Sequence, residues 1–198
     1  GYYNFAGHRF GSHEGGLGSV DMRRSIQLSS NVYYYSLANE MGVDMIYDFM
    51  KPLGFGQSTG IDLGGEVRGV LPSTEWKRNT YKRPEQQKWY AGETISLGIG
   101  QGYNNFTMLQ LALATSVIAN DGVKMKPHLV KEVVDVVTRT SRETLREIKA
   151  EAIADPKNIA VIKNALVGVN IEGTGATAFR GDFDGDLVES AAAEIGAT

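Results

Sequence analysis

The chain has 198 residues, 42% of them hydrophobic and 22% charged, which fits one compact domain and leaves little room for two. With 20 Lys+Arg against 23 Asp+Glu the formal net charge is -3, so there is no cationic surplus to neutralise phosphates, and no nucleic-acid partner is expected. No apolar run approaches the roughly 20 residues needed to cross a bilayer, and the lack of cysteine removes disulfides and thiolate metal sites while leaving the compartment open.

Residues 1–20 are glycine-dense, carry His8 and His13, and show almost no apolar periodicity, so they read as an irregular arm. Met22, Ile26 and Leu28 after Val20-Asp21 predict a short helix, and Val32 to Met41 a second one closed by Gly42. Ser29-Ser30-Asn31 lies between them. A third helix over Val43 to Met50 meets Pro52 and the turn Gly54-Phe55-Gly56. Residues 52–102 read mostly as loop, punctuated by glycine and proline, with a charged stretch from Lys77 to Lys88. Thr107 and Gln110 form a T-x-x-Q capping box that opens a helix apolar on more than one face, the pattern of a helix packed in a domain interior; Asn120-Asp121-Gly122 ends it. Leu129 to Val137 is β-branched and reads as a strand. Asp155-Pro156 supplies an N-cap and an N1 proline for a last helix through Ile159, Ile162, Leu166 and Val167.

Several motifs look chemical and have plainer readings. Gly56-Gln57-Ser58-Thr59-Gly60 matches a nucleophile elbow, but a helix rather than a strand precedes it and only His128 follows, so Ser58 reads as part of a structural turn. Asp182, Asp184 and Asp186 open like a calcium loop, yet Leu187 and Ala193 occupy its glycine and bidentate-glutamate positions. Gly98 to Gly102 (GIGQG) is neither a dinucleotide fingerprint nor a P-loop. His8 and His13 are five apart in an irregular stretch and read as a solvated pair. Ser29-Ser30-Asn31 alone would be explained by a helix cap.

Three blocks in order change that last reading: S-S-N before VYYYSLANEMG, then GFGQSTGIDLGGE, then LGIGQGYNNFTMLQLALATSVIANDGVKMKPHLV. Together, over about residues 20 to 180, they resemble the transpeptidase domain of class B penicillin-binding proteins, most closely the elongation-type penicillin-binding protein 2 group. The resemblance implies an α+β serine β-lactamase/D,D-transpeptidase-like fold, with residues 1–198 a mainly helical partial domain. It implies a peptidoglycan D,D-transpeptidase that cross-links stem peptides through a serine acyl-enzyme and binds β-lactams, with no cofactor or metal. It places the protein on the periplasmic face of the bacterial inner membrane, anchored by a segment outside this chain, beside a membrane-embedded glycan polymerase.

The family's chemistry uses S-x-x-K, S-x-N and K-T-G. A serine hydroxyl is a poor nucleophile until a lysine one turn away takes its proton, the S-x-N hydroxyl relays a proton to the leaving amine, and the Asn amide holds the substrate peptide. By resemblance Ser29 takes the relay role and Asn31 both a catalytic and a substrate-binding one, while Gln101 and Gly102 of GIGQG join the substrate-binding set. No serine is followed three residues on by lysine, and no lysine by S/T-G. The S-x-x-K motif is expected upstream of residue 1. Near the place of K-T-G, beyond Gly173-Thr174-Gly175-Ala176, stands Glu194-Ile195-Gly196, with the wrong sign for a substrate carboxylate; residues 181–198 have doubtful correspondence to the family. The alternatives are a D,D-carboxypeptidase or β-lactamase of the same fold, or a non-catalytic module. These 198 residues alone are expected to be inactive.

Overall fold

The structure is a computed structural model that describes residues 1–12, 16–153 and 155–179. The expectation of an irregular arm over residues 1–20 is corrected for its first part. Tyr2–Phe5 (β1) and His8–Gly11 (β2) form an antiparallel hairpin whose turn residues Ala6 and Gly7 have φ of 49° and 79°. A two-residue hairpin turn of this kind needs positive φ at both positions; Ala6 does not advertise one. The hairpin rests on Tyr35, whose ring lies 5.5 Å from Phe10 and whose hydroxyl donates to the Gly11 carbonyl at 3.2 Å.

The next three helices stand where the sequence places them. Asp21 caps α1 (Met22–Gln27) by accepting the Arg24 N–H at 2.8 Å. Helix α2 (Asn31–Met41) stops at Gly42, φ 74°, and α3 (Val43–Met50) runs into a 3₁₀ turn over Lys51–Leu53. Residues 52–102 are less loop-like than expected, since they hold α4 (Thr74–Thr80), α5 (Pro84–Gln87) and α6 (Ala91–Leu97). All are too short for apolar periodicity to show. Their starts are nonetheless specified: Ser73 accepts the Trp76 N–H at 2.9 Å, and Glu93 accepts the Tyr90 N–H at 2.9 Å.

Helix α7 (Met108–Ala119) begins at the expected capping box, with Thr107 and Gln110 exchanging bonds of 3.1 Å. Its Ala114 and Val117 join Leu53, Phe55 and Leu71 in the core, with the Phe106 ring tilted against Phe55 at 4.4 Å between centroids. Among the described residues the helix is not enclosed: Met108 is 79% exposed and Leu111 41%. Apolar content on a second face does not reveal whether anything covers it. Val123–Met125 (β3) pairs antiparallel with Ile148–Glu151 (β6). The strand expected over Leu129 to Val137 is only Glu132–Val134 (β4), paired with Ser141–Glu143 (β5) and exposed throughout, because Asp135 turns the chain by accepting the Val137 and Thr138 N–H groups. Helix α8 (Pro156–Ile171) starts at the expected Asp155 cap and packs on α1, where Arg23 bonds Asn164 at 2.8 Å; α9 (Ala176–Phe179) follows. The outcome is the mixed α and β architecture, mainly helical, that the family resemblance implies. His13, the aspartates from Asp182 and Glu194 lie outside the described residues.

Candidate active site

Ser29 occupies the junction of α1 and α2 with φ 52°, a left-handed conformation that costs a non-glycine residue roughly 1–2 kcal/mol. Two features of the sequence hold it there. The Ser29 and Ser30 N–H groups fold back onto the Ile26 and Ser25 carbonyls at 3.2 and 2.9 Å. From the far end of the chain, Thr174 donates its N–H to the Gln27 carbonyl at 3.2 Å and sets its hydroxyl 3.1 Å from Ser29 Oγ. Gly173 permits this docking, because a Cβ on it would overlap the Gln27 carbonyl. The Gly173-Thr174-Gly175 segment, read from sequence only as an approach to a missing motif, thus touches the S-x-N motif directly.

The three motif residues differ in setting. Ser30 is buried, whereas Ser29 is exposed and Asn31 half-buried at the first turn of α2. The plainer reading of this triplet as a helix cap loses its main support, since the Ser30 side chain makes no capping bond to α2. Beneath the junction Ser25 is wholly buried; its hydroxyl donates to the Met22 carbonyl at 2.7 Å and lies 3.2 Å from the Tyr34 hydroxyl, from which it can accept. Burial pushes the Tyr34 phenol above its ordinary value, which keeps this contact neutral.

The glycine-dense run after α6 approaches α2 within one turn of Asn31. A Cβ on Gly98 would lie 2.6 Å from the Ala38 Cβ and closer still to the Tyr34 carbonyl, so only glycine allows the contact. Gly100 and Gly102 then take φ of 77° and 72°, and the Gln101 N–H bonds the Ser96 carbonyl at 3.0 Å, leaving Gln101 and Gly102 exposed. Between this run, α2 and α3 lies a trough of about 510 Å³ with apolar walls that include Leu37, Met41, Phe49 and Phe106. Ser58 sits apart, on an exposed turn where Glu66 accepts the Thr59 and Gly60 N–H groups. Those bonds offset partial burial and hold the Glu66 carboxyl below the usual range. His128 is engaged elsewhere, its Nδ1 lying 3.0 Å from the Val130 carbonyl.

Sequence reasoning missed one densely connected cluster nearby. Lys77, read only as the start of a charged stretch in a loop-like region, is buried, and its ammonium lies 2.7 Å from Glu93 Oε2 with Oε1 also in contact. Both tryptophans and Tyr81, Tyr90 and Tyr103 fall within residues 76–103 around it, a concentration visible in the sequence.

Residues 2–186 match the family model of the penicillin binding protein transpeptidase domain. Peptidoglycan D,D-transpeptidase MrdA of Acinetobacter baumannii is 44% identical over 134 residues, which is 66% of this chain and 19% of that protein. MrdA of Haemophilus influenzae is 42% identical over 130 residues, 66% of this chain and 19% of that protein. The chain therefore spans about a fifth of the length of these relatives. Among solved structures, Pseudomonas aeruginosa PBP2 in complex with WCK 5153 superposes with a TM-score of 0.74 at 33% identity, covering 90% of this chain and 38% of that one.

Proposed function

This chain belongs to the penicillin-binding protein transpeptidase domain family, and from that premise we propose that it carries the proton-relay and substrate-holding part of a peptidoglycan D,D-transpeptidase. In the reaction a serine Oγ attacks the carbonyl of the penultimate D-Ala of a stem peptide, D-Ala leaves, and the amine of a neighbouring peptide attacks the acyl-enzyme, freeing the serine. A β-lactam is opened by the same attack and stays on the serine. The nucleophile and its lysine belong to an S-x-x-K motif that does not occur in residues 1–198.

Within the chain, Ser29 hands a proton to the departing amine and the Asn31 amide holds the peptide in register. Gln101 and Gly102 contribute exposed polar groups from a run whose glycines allow the substrate backbone to come close. The observation that carries this reading is the α1–α2 junction: a serine locked in a left-handed conformation, hydroxyl outward and hydrogen-bonded, with Asn31 beginning the next helix. Strain of that kind persists only where surrounding contacts impose it. The relatives are named D,D-transpeptidases, which favours transfer to an amine over the carboxypeptidase and β-lactamase alternatives. We place the working protein on the periplasmic face of a bacterial inner membrane, tethered by a segment outside this chain and working beside a membrane-embedded glycan polymerase; none of the described helices is long and apolar enough to cross a membrane.

Labelling with a fluorescent penicillin tests the assignment. These 198 residues alone should form no stable adduct. The protein in which they are joined to an S-x-x-K segment should label on that motif's serine, and Ser29→Ala or Asn31→Ala should slow acylation by about a hundredfold or more. Unchanged labelling with both substitutions in place would overturn the roles given to both residues.

A further inference from the structure

Lys77 lies in α4, and its buried ammonium is enclosed by Glu93 and by the faces of Trp89, Tyr90 and Tyr103, whose ring centroids stand 5.4, 5.3 and 5.3 Å away. Glu93 also accepts the Tyr103 hydroxyl at 3.1 Å, and the Tyr103 ring packs 5.3 Å from Trp76 and 5.9 Å from Trp89. One cation thus ties together α4, the stretch before α6, the first turn of α6 and the residue that ends the run Gly98 to Tyr103. Stability alone is a poor reason for such an arrangement, because desolvating an ion pair offsets its attraction and apolar residues of equal volume do as well or better. What directional bonds add is a fixed geometry at their far end. Here that end is Tyr103, next to Gly102 and Gln101, while the other end of the run is fixed where Gly98 meets Tyr34 and Ala38 of α2.

We propose that Lys77 is a positioning residue: acting through Glu93 and Tyr103, it sets the path of the Gly98 to Tyr103 run and so the placement of Gln101 and Gly102 against the substrate peptide. It does not itself touch the reacting atoms. The inference rests on the reading that this run faces the substrate, and it adds a group that the three family motifs do not include.

The test uses the complete protein that carries this chain, with Lys77→Met, Lys77→Arg and Tyr103→Phe variants. Hydrogen–deuterium exchange of residues 98–103 reports the loop directly, and penicillin acylation is resolved into a half-saturating concentration and a limiting rate. Lys77→Met should speed exchange in the run and raise the half-saturating concentration about tenfold while the limiting rate stays within about threefold, the pattern of lost binding rather than lost chemistry. Lys77→Arg should recover most of both effects, and Tyr103→Phe should shift them the same way by less. Wild-type exchange and half-saturation in Lys77→Met would overturn the proposal, as would an Arg variant no better than Met. If Lys77→Met does not fold, Tyr103→Phe decides, and unaltered exchange there refutes it. A wild-type protein that fails to label at all would sink the transpeptidase reading and leave the exchange comparison to judge the positioning role separately.

Discussion

Replacing Gln110 by leucine should be among the most damaging single changes in this chain that leave side-chain volume nearly unaltered. The side chain is wholly buried; its Nε2 donates to the Gln57 and Arg68 carbonyls at 2.6 and 2.7 Å, and its Oε1 accepts the Thr107 N–H at 3.1 Å. One amide therefore satisfies both sides of the turn between Phe55 and Val70 and half of the α7 cap. Each stranded backbone group costs about 1–3 kcal/mol. Carbonyls retain a second lone pair and sit nearer the low end, so the three together give roughly 3–5 kcal/mol. Against a typical total of about 5–15 kcal/mol that is a large share, and at roughly 2–4 °C per kcal/mol for a domain of this size it lowers Tm by about 6–20 °C. Gln110→Glu is the sharper variant: it keeps the acceptor but aims a carboxylate oxygen at two carbonyls, so it should destabilise more than leucine at neutral pH. Burial against two carbonyls raises the pKa of that carboxyl in the folded state, so stability should recover as pH falls through the raised value toward the ordinary one of about 4.3, where a protonated carboxyl can donate again. Calorimetric melts of both variants measure this. A leucine variant within about 1 kcal/mol of the parent would refute the claim that this amide organises the turn.

Gly98→Ala forces a methyl group against Ala38 and the Tyr34 carbonyl; a loss of about 1–3 kcal/mol is expected in denaturant titrations, as for overpacked cores. Ser29→Gly and Ser29→Ala separate backbone from hydroxyl: both should slow acylation alike, but Gly should melt above Ala because it accepts the left-handed φ without strain. The Val130 and Leu129 N–H groups hold the Asp62 carboxyl below its ordinary 3.8. Its contribution to docking that segment is therefore present above that value and lost as pH falls through the lowered one, so the Leu129 and Val130 amide shifts should titrate with an inflection below 3.8. Burial, the hydrogen bond with Tyr81 and the Glu93 charge push the Tyr103 phenol up to about 12. Its share of stability is intact below its ordinary 10.0 and fades as pH climbs toward 12, and Tyr103→Phe should remove the latest step of the phenolate absorbance titration.

Helices with a cap and enough length are legible in the sequence. Thr107 with Gln110 and Asp155 with Pro156 marked α7 and α8 because capping is a local matter of four or five residues. Helices α4, α5 and α6 were hidden by shortness and by the glycines and prolines between them, and the β1–β2 hairpin by an alanine in a left-handed turn position. At the site the serine and asparagine were legible as a motif, while the groups that hold them were not. Thr174, Gly98 and the Lys77 cage act over separations that no local pattern encodes. The burial of Lys77 was illegible for a related reason: it is decided by aromatic rings brought in from other elements, whereas the sequence shows only the charges beside it.

The bond between Ser29 and Thr174 spans 145 positions, and this gives the junction a history as well as a geometry. A chain made at about 5–20 residues per second carries Ser29 for roughly 7–30 s before Thr174 has been synthesised. During that interval the Thr174 bonds cannot hold the serine in its unfavourable backbone conformation, so the loop is free to relax. Whatever depends on this serine conformation therefore becomes available only after α8 and the segment that follows it have been made.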